Sequence, residues 1–306
     1  MILLLAVSFI WAFSFGLIKG LAGVDSTAVA VLRLAISLAV FAPLFRPRGM
    51  GARQMARLAM IGAVQFGAVY VLYLRSYAHL HAYEVALFTI TTPIFVALLD
   101  AALERRLRRR YLWAAALSVG GAAVVLWTSI GNSAILGGFI LVQLSNLCFA
   151  AGQLCWRRER PRLPPGADDA SVFALPFAGG LVLTLAVSRY ATDWHVFSAT
   201  GAQWATIIYL GAVASGAGFF LWNVGSTRVN AGALAAFNNA KIPLGIACSL
   251  VVFGERADLA RLLAGAAMMA AGVWVAGGRA EGPGPAPSQD SHRHEQRKAR
   301  GTARVS

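Results

Sequence analysis

Apolar residues in this chain come in long unbroken blocks rather than in the alternation of a half-buried strand. "LLLAVSFIWAFSFGLI" (3–18) and "LWAAALSVGGAAVVLW" (112–127) are two examples. Runs approaching ~20 residues match the hydrocarbon thickness of a bilayer, so each block reads as a membrane-spanning helix. Ten segments carry this signature, at roughly 2–20, 26–45, 57–77, 82–103, 111–129, 134–156, 170–189, 202–224, 230–253 and 258–277. The predicted fold class is therefore an all-α integral membrane protein with ten transmembrane helices. Composition agrees. Of 306 residues, 58% are hydrophobic and 13% charged, against about 25% charged in a soluble domain.

The formal charge of +14 raises the question of nucleic acid, but its placement answers it. Arginines crowd every second connection: "RPRGMGARQMAR" (46–57), "ERRLRRR" (104–110) and "RRERPRLPPGADD" (157–169), followed by the basic tail. The alternate connections hold only Lys19, Arg75, Arg189, Arg256 and Arg261. Basic connections stay on the cytoplasmic side. Both termini are expected there, in a multi-pass protein of the inner (plasma) membrane whose partner is the lipid bilayer and not nucleic acid. The first segment has no basic leader and no clear small-residue cleavage site, so it is expected to be a retained span. Residues 279–306 are polar and rich in Pro and Gly, which predicts a disordered basic tail. His292 and His294 in it are expected to be solvated.

Cys148, Cys155 and Cys248 all fall inside predicted spans. Cys148 and Cys155 stand seven residues apart on one helix, about 10 Å along its axis, too far to bridge. They read as small core residues.

The chain contains an internal repeat. "GAVQFGAVYVLYL" (62–74) resembles "GAVASGAGFFLWN" (211–223) at a constant offset of 149, which carries Gly62 onto Gly211. Further on, "ALFTITTPI" (86–94) aligns with "AAFNNAKIPL" (235–244), with Phe88 on Phe237 and, after one inserted residue, Pro93 on Pro243. Two copies are expected, 1–130 and 131–278. Five spans per copy is an odd number, so the second must insert upside down. Inverted repeats mark secondary transporters, with the substrate site near the midplane between the halves.

Several whole phrases carry a family resemblance: "WAFSFG" (11–16), "LRLAISL" (32–38), "ALFTITTP" (86–93), "LVQLSNLCFA" (141–150), "GAVASGAGFFLWNVGSTRVNAG" (211–232) and "FNNAKIPLG" (237–245). With them the chain resembles the EamA-type members of the drug/metabolite transporter superfamily over about residues 1–278. The phrases are most similar to those of the biotin-uptake branch in enteric bacteria. The resemblance implies uptake of biotin or a similar carboxylate-bearing compound. Export of amino acids or related metabolites is the alternative reading.

Charges in the midplane cost about 2.5–3.5 kcal/mol each on insertion scales. Only Arg33 and Lys241 lie well inside the predicted spans, and the 13 carboxylates fall in loops, in the tail or near span ends. A net-positive membrane core suits an anionic small-molecule substrate and weakens a cation-exporting reading, which needs an embedded carboxylate. Asn238 and Lys241, three apart, share a helix face. Pro243 frees the carbonyl of Asn239, and a locally broken helix is tolerated where it lines a cavity. The structural alternative is that Lys241 serves the freed carbonyls, and that Arg33 clamps carbonyls or pairs across the bundle.

Candidate substrate-binding residues are Lys241, Asn238, Asn239, Tyr70, Tyr73, Trp222, Arg33, Trp11 and Asn146. The aromatic members repeat. Phe66, Tyr70, Tyr73 and Tyr77 run along one helix face, and the offset of 149 carries the first three onto Ser215, Phe219 and Trp222. Such stripes also face lipid or pack between helices. Gln143, Asn146 and Gln153 occupy one side of the sixth span, as amide partners for a ligand or as glue between helices. None of the five histidines is mid-span, which removes the usual intramembrane general base. No metal-binding spacing stands out. An enzyme, a channel and a purely structural protein are set aside, and no cofactor is expected; a homo-oligomer is compatible with the sequence.

Overall fold

The computed structural model describes residues 2–105, 109–127, 132–229 and 231–277. The predicted tail (279–306) and the boundary at 130/131 lie outside the described residues. Among the described residues every regular element is helical. We label them α1 (Ile2–Lys19), α2 (Ser26–Phe41), α3 (Ala52–Ser76), α4 (Ala82–Leu103), α5 (Arg109–Val125), α6 (Ser133–Glu159), α7 (Asp169–Ala191), α8 (Gly201–Ser226), α9 (Ala231–Val251) and α10 (Leu259–Gly277). Eight helices, α1 to α4, α6 to α8 and α10, are long and apolar enough to cross a membrane. Side chains such as Phe9, Phe13, Val119 and Trp274 are exposed on the outside of the bundle, where lipid would meet them.

Polar side chains start several helices. The Asp25 carboxylate accepts from the Ala28 N–H at 2.6 Å, capping α2, and the Asn132 amide oxygen accepts from Ala134 at 3.0 Å, capping α6. Thr200 and Gln203 form a capping box at α8. These groups take N–H donors that have no partner inside the helix.

Two helices contain a wider, π-helical stretch in mid-course: residues 63–68 in α3 and 210–217 in α8. They fall at matching places in the repeated stretches. Widening a helix leaves carbonyls without their usual donors, and side chains supply them in α8. Ser215 Oγ donates to the Leu210 carbonyl at 2.7 Å, Ser37 Oγ to Gly211 at 2.8 Å and Trp11 Nε1 to Ala214 at 2.9 Å. The distortion thereby ties α8 to α1 and α2.

The two proline helices differ from expectation. α9 runs unbroken from Ala231 to Val251 with Pro243 inside it, so the local break expected there is absent. The break lies instead in α4, which tightens to a 3₁₀ turn over Thr89–Thr91 just before Pro93. The neighbouring side chains account for this. Thr89, Thr91 and Thr92 donate back to the carbonyls of Ala86, Phe88 and Thr89 at 2.8–3.0 Å, competing with the helical ladder. The residues around Pro243, "KIPLGIA", offer no such hydroxyls.

Glu255, in the connection between α9 and α10, caps the start of α4. Its carboxylate accepts from the N–H groups of Ala82 and Tyr83 at 3.1 Å each and from Ser249 Oγ, with His81 Nδ1 at 3.6 Å. Burial raises such a carboxyl, but the bonds from Ser249, Ala82 and Tyr83, with the His81 charge, outweigh it and hold Glu255 below the ordinary carboxylate value. This contact closes one end of the bundle between α4 and the α9–α10 connection.

Candidate substrate-binding cavity

The centre of the bundle is a cluster of aromatic rings. Phe66 of α3 stacks on Phe219 of α8, with centroids 4.3 Å apart, and Tyr70 lies 5.5 Å from the same ring. Trp11 of α1 meets Trp222 at 5.2 Å, Phe219 at 5.7 Å and Phe149 of α6 at 6.0 Å. Helical spacing puts the rings of each helix on one face. Phe66 lies in the wide stretch of α3 and Tyr70 just after it, while Phe219 and Trp222 follow the wide stretch of α8 at helical spacing.

Beside these rings is a small cavity of about 80 Å³, tighter than the ~300–1,000 Å³ typical of small-molecule sites, so a ligand the size of a metabolite requires the surrounding side chains to open. Six of the nine candidate residues line it: Trp11, Arg33, Tyr70, Tyr73, Asn146 and Lys241. Lys241 Nζ donates to Asn238 Oδ1 at 3.4 Å and lies 4.8 Å from the Trp11 ring centroid and 5.8 Å from that of Phe149. Those distances are within reach of a cation–π attraction. Its hydrogen bond goes to an amide, not to the carbonyl freed by Pro243.

Arg33 is 3% exposed. Its Nε donates to Ser215 Oγ at 3.1 Å and its Nη2 to Tyr70 Oη at 2.8 Å, with the guanidinium carbon 4.2 Å from the Tyr70 centroid. Among the described residues no aspartate or glutamate lines the cavity, and no described ion pair includes Arg33 or Lys241.

Three candidates lie elsewhere. Trp222 is fully buried behind Trp11, its Nε1 donating to Gln153 Oε1 at 3.0 Å. Asn238 serves as the partner of Lys241, and Asn239 accepts from Asn238 Nδ2 at 3.5 Å. Asn146 does line the cavity, yet its amide nitrogen donates to the Phe88 carbonyl at 2.9 Å and to Thr91 Oγ1 at 3.0 Å. It therefore also holds the 3₁₀ break of α4 in place. Polar lining residues outside the candidate set are Ser14, Thr89, Thr92 and Ser145, and Phe149 and Phe219 supply further ring surface. Phe219 was legible through the repeat offset. The hydroxyl residues had no sequence signal, because serine and threonine in membrane helices commonly bond their own backbone, as Ser14 and Thr92 also do here.

The EamA-like transporter family model matches residues 1–127 and 136–277. The chain belongs to the EamA-like transporter family. It is 39% identical over 274 residues to a probable biotin transporter of Pseudomonas aeruginosa, covering 89% of this chain and 96% of that one. It is 34% identical over 278 residues to the biotin transporters of Salmonella typhimurium and Escherichia coli K12, covering 90% of this chain and 92% of each. A solved crystal structure superposes with a TM-score of 0.62 at 20% identity, covering 90% of this chain and 95% of that one, which establishes likeness of fold. This EamA-like protein is thus a multi-pass membrane transporter of small metabolites.

Proposed function

We propose that this EamA-like protein takes up biotin or a similar small carboxylate. The observation that carries the reading is the cavity itself, with two buried cations, no carboxylate among its described lining residues and a wall of aromatic rings. Buried charge is tolerated only with compensation, and a carboxylate-bearing ligand supplies it. Once the cavity opens, an apolar bicycle such as that of biotin has Trp11, Tyr70, Tyr73 and Phe219 to lie against, with its carboxylate at Lys241. The relatives named as biotin transporters support the same substrate. A second, wider cavity lined by Lys19, Arg75, Tyr77 and His79 shares Ile18 with the first. Its cations suit the approach of an anion from the arginine-poor side.

A biotin-auxotrophic, uptake-deficient strain expressing this chain should grow on trace biotin. Purified protein in liposomes should show saturable uptake that unlabelled biotin competes. Failure of both, with insertion verified, would favour export of amino acids or related metabolites.

The architecture we propose is ten spans in two inverted five-helix repeats, with both termini cytoplasmic. It adds α5 and α9 to the eight long apolar helices. The matched positions of the two π-helical stretches and the two-part family match support it. A cysteine placed at Ser198, in the arginine-poor connection before α8, should react with a membrane-impermeant maleimide in intact cells. Reaction only after permeabilisation would invert the orientation.

A further inference from the structure

Arg33 has more donors than the described residues have acceptors for it. The proton chain around it is fixed by one hydroxyl. Ser215 Oγ gives its proton to the Leu210 carbonyl, so in its 2.7 Å contact with Tyr70 Oη it accepts, and the tyrosine donates. Tyr70 Oη in turn accepts from Arg33 Nη2, and Ser215 Oγ accepts from Nε. Every hydroxyl proton in the group is committed and the guanidinium is pinned. Among the described residues, Nη1 is left buried with no hydrogen-bond partner. A guanidinium is charged at any physiological pH and has no acceptor atom. A buried donor of this kind normally has a partner, and its absence calls for a ligand, a water or an ion.

Arg33 and Lys241 line the same cavity but bracket a series of ring contacts. Lys241 lies on Trp11, Trp11 meets Phe219, Phe219 meets Tyr70, and Tyr70 lies under Arg33. We propose that Arg33, pinned by Tyr70 and Ser215, is a second substrate anchor that holds a hydrogen-bond-accepting group at the end of the ligand remote from its carboxylate. The inference rests on the uptake reading above and adds which chemistry the far end must carry. For biotin that group is the cyclic urea oxygen. A neutral carbonyl or a second anion fits, whereas a cationic group at that end meets a buried like charge and is rejected.

2-Iminobiotin tests this directly, because it replaces the urea with a cyclic guanidine that is protonated at neutral pH. Uptake of biotin and competition by 2-iminobiotin and by biotin amide are measured in proteoliposomes for wild type, Arg33→Gln and Arg33→Lys. Wild type should discriminate strongly against 2-iminobiotin. Arg33→Gln should weaken biotin uptake and narrow the biotin-to-iminobiotin ratio by roughly ten- to a hundred-fold, the range of a hydrogen bond to a charged group. Its discrimination against biotin amide should be unchanged, because that reads the Lys241 end. Arg33→Lys keeps the charge without the fork, so it should bind biotin less well yet still reject 2-iminobiotin.

A wild-type ratio in both folded variants overturns the anchor while leaving the uptake reading intact. If Arg33→Gln does not fold, loss of the rejection in Arg33→Lys overturns it equally. A chloride requirement in wild type that disappears in Arg33→Gln would assign the guanidinium to a free halide and overturn the substrate anchor. Absence of biotin uptake by wild type overturns the uptake reading, and the anchor with it.

Discussion

Lys241→Met should remove most uptake at low substrate concentration while leaving the protein folded and inserted. The side chain is 7% exposed, its one hydrogen bond among the described residues runs to Asn238, and its Nζ lies over the Trp11 ring at 4.8 Å. Methionine keeps nearly the same length and contact area but not the charge. Losing a charge-assisted hydrogen bond costs about 1.5–3 kcal/mol, which is roughly a ten- to hundred-fold fall in affinity. Thermal stability without substrate should hold or rise, since the variant no longer buries an unpaired cation. Lys241→Arg should be intermediate, with the charge kept and its shape changed. The decisive measurement pairs the variant with an amidated substrate analogue. If Lys241 meets the carboxylate, the amide should bind wild type poorly and lose little more in Lys241→Met. That non-additivity links one residue to one group. Independent, additive losses would return Lys241 to a structural role beside Pro243.

The strongest features of the fold were legible because the bilayer imposes them. A span needs a long apolar run, so blocks such as 3–18 could be read without any knowledge of packing. The two cavity cations were legible for the converse reason. A charge within an apolar helix is costly and stands out against its neighbours, and both Arg33 and Lys241 do line the cavity. Tyr70, Tyr73 and Trp11 were found through helical spacing and repetition.

What spacing does not encode is which of several neighbours faces the cavity. Trp222 has the same repeat credentials as Tyr73, yet it is fully buried and bonded to Gln153. Asn238 shares the Lys241 face as expected, but its oxygen is the lysine's partner. The π-helical stretches, "AVQFGA" and "LGAVASGA", are rich in Ala, Gly and Val, which are common in ordinary membrane helices. The proline rule also reached its limit in α9. A proline removes one backbone donor, but whether the helix opens depends on competing side chains. Threonines provide them around Pro93, and the residues around Pro243 do not.

Gly62→Ala should destabilise the protein more than any other single methyl addition to α3, though it touches no cavity residue. A Cβ on Gly62 would lie 1.8 Å from the Pro176 carbonyl oxygen and 2.3 Å from the Pro176 Cα and carbonyl carbon of α7. The contact is reciprocal, since a Cβ on Gly179 would lie 1.8 Å from the Ala59 carbonyl oxygen. Both obstacles are backbone atoms, so no side-chain rotation relieves them and the helices must move apart. Small residues let membrane helices approach this closely. Overpacking costs typically about 1–3 kcal/mol and occasionally more, and rigid backbone on both sides puts this site at the upper end. Separating α3 from α7 would also disturb the π-helical stretch that follows Gly62 and, through it, the Phe66–Phe219 stack. The expected result is a large drop in melting temperature and in monodisperse yield from detergent, measured by fluorescence-detected size exclusion. Gly137→Ala on α6, where an added Cβ meets nothing within 4 Å, should behave as wild type in the same assay. Equal melting of the two variants would mean that α3 and α7 do not pack through Gly62.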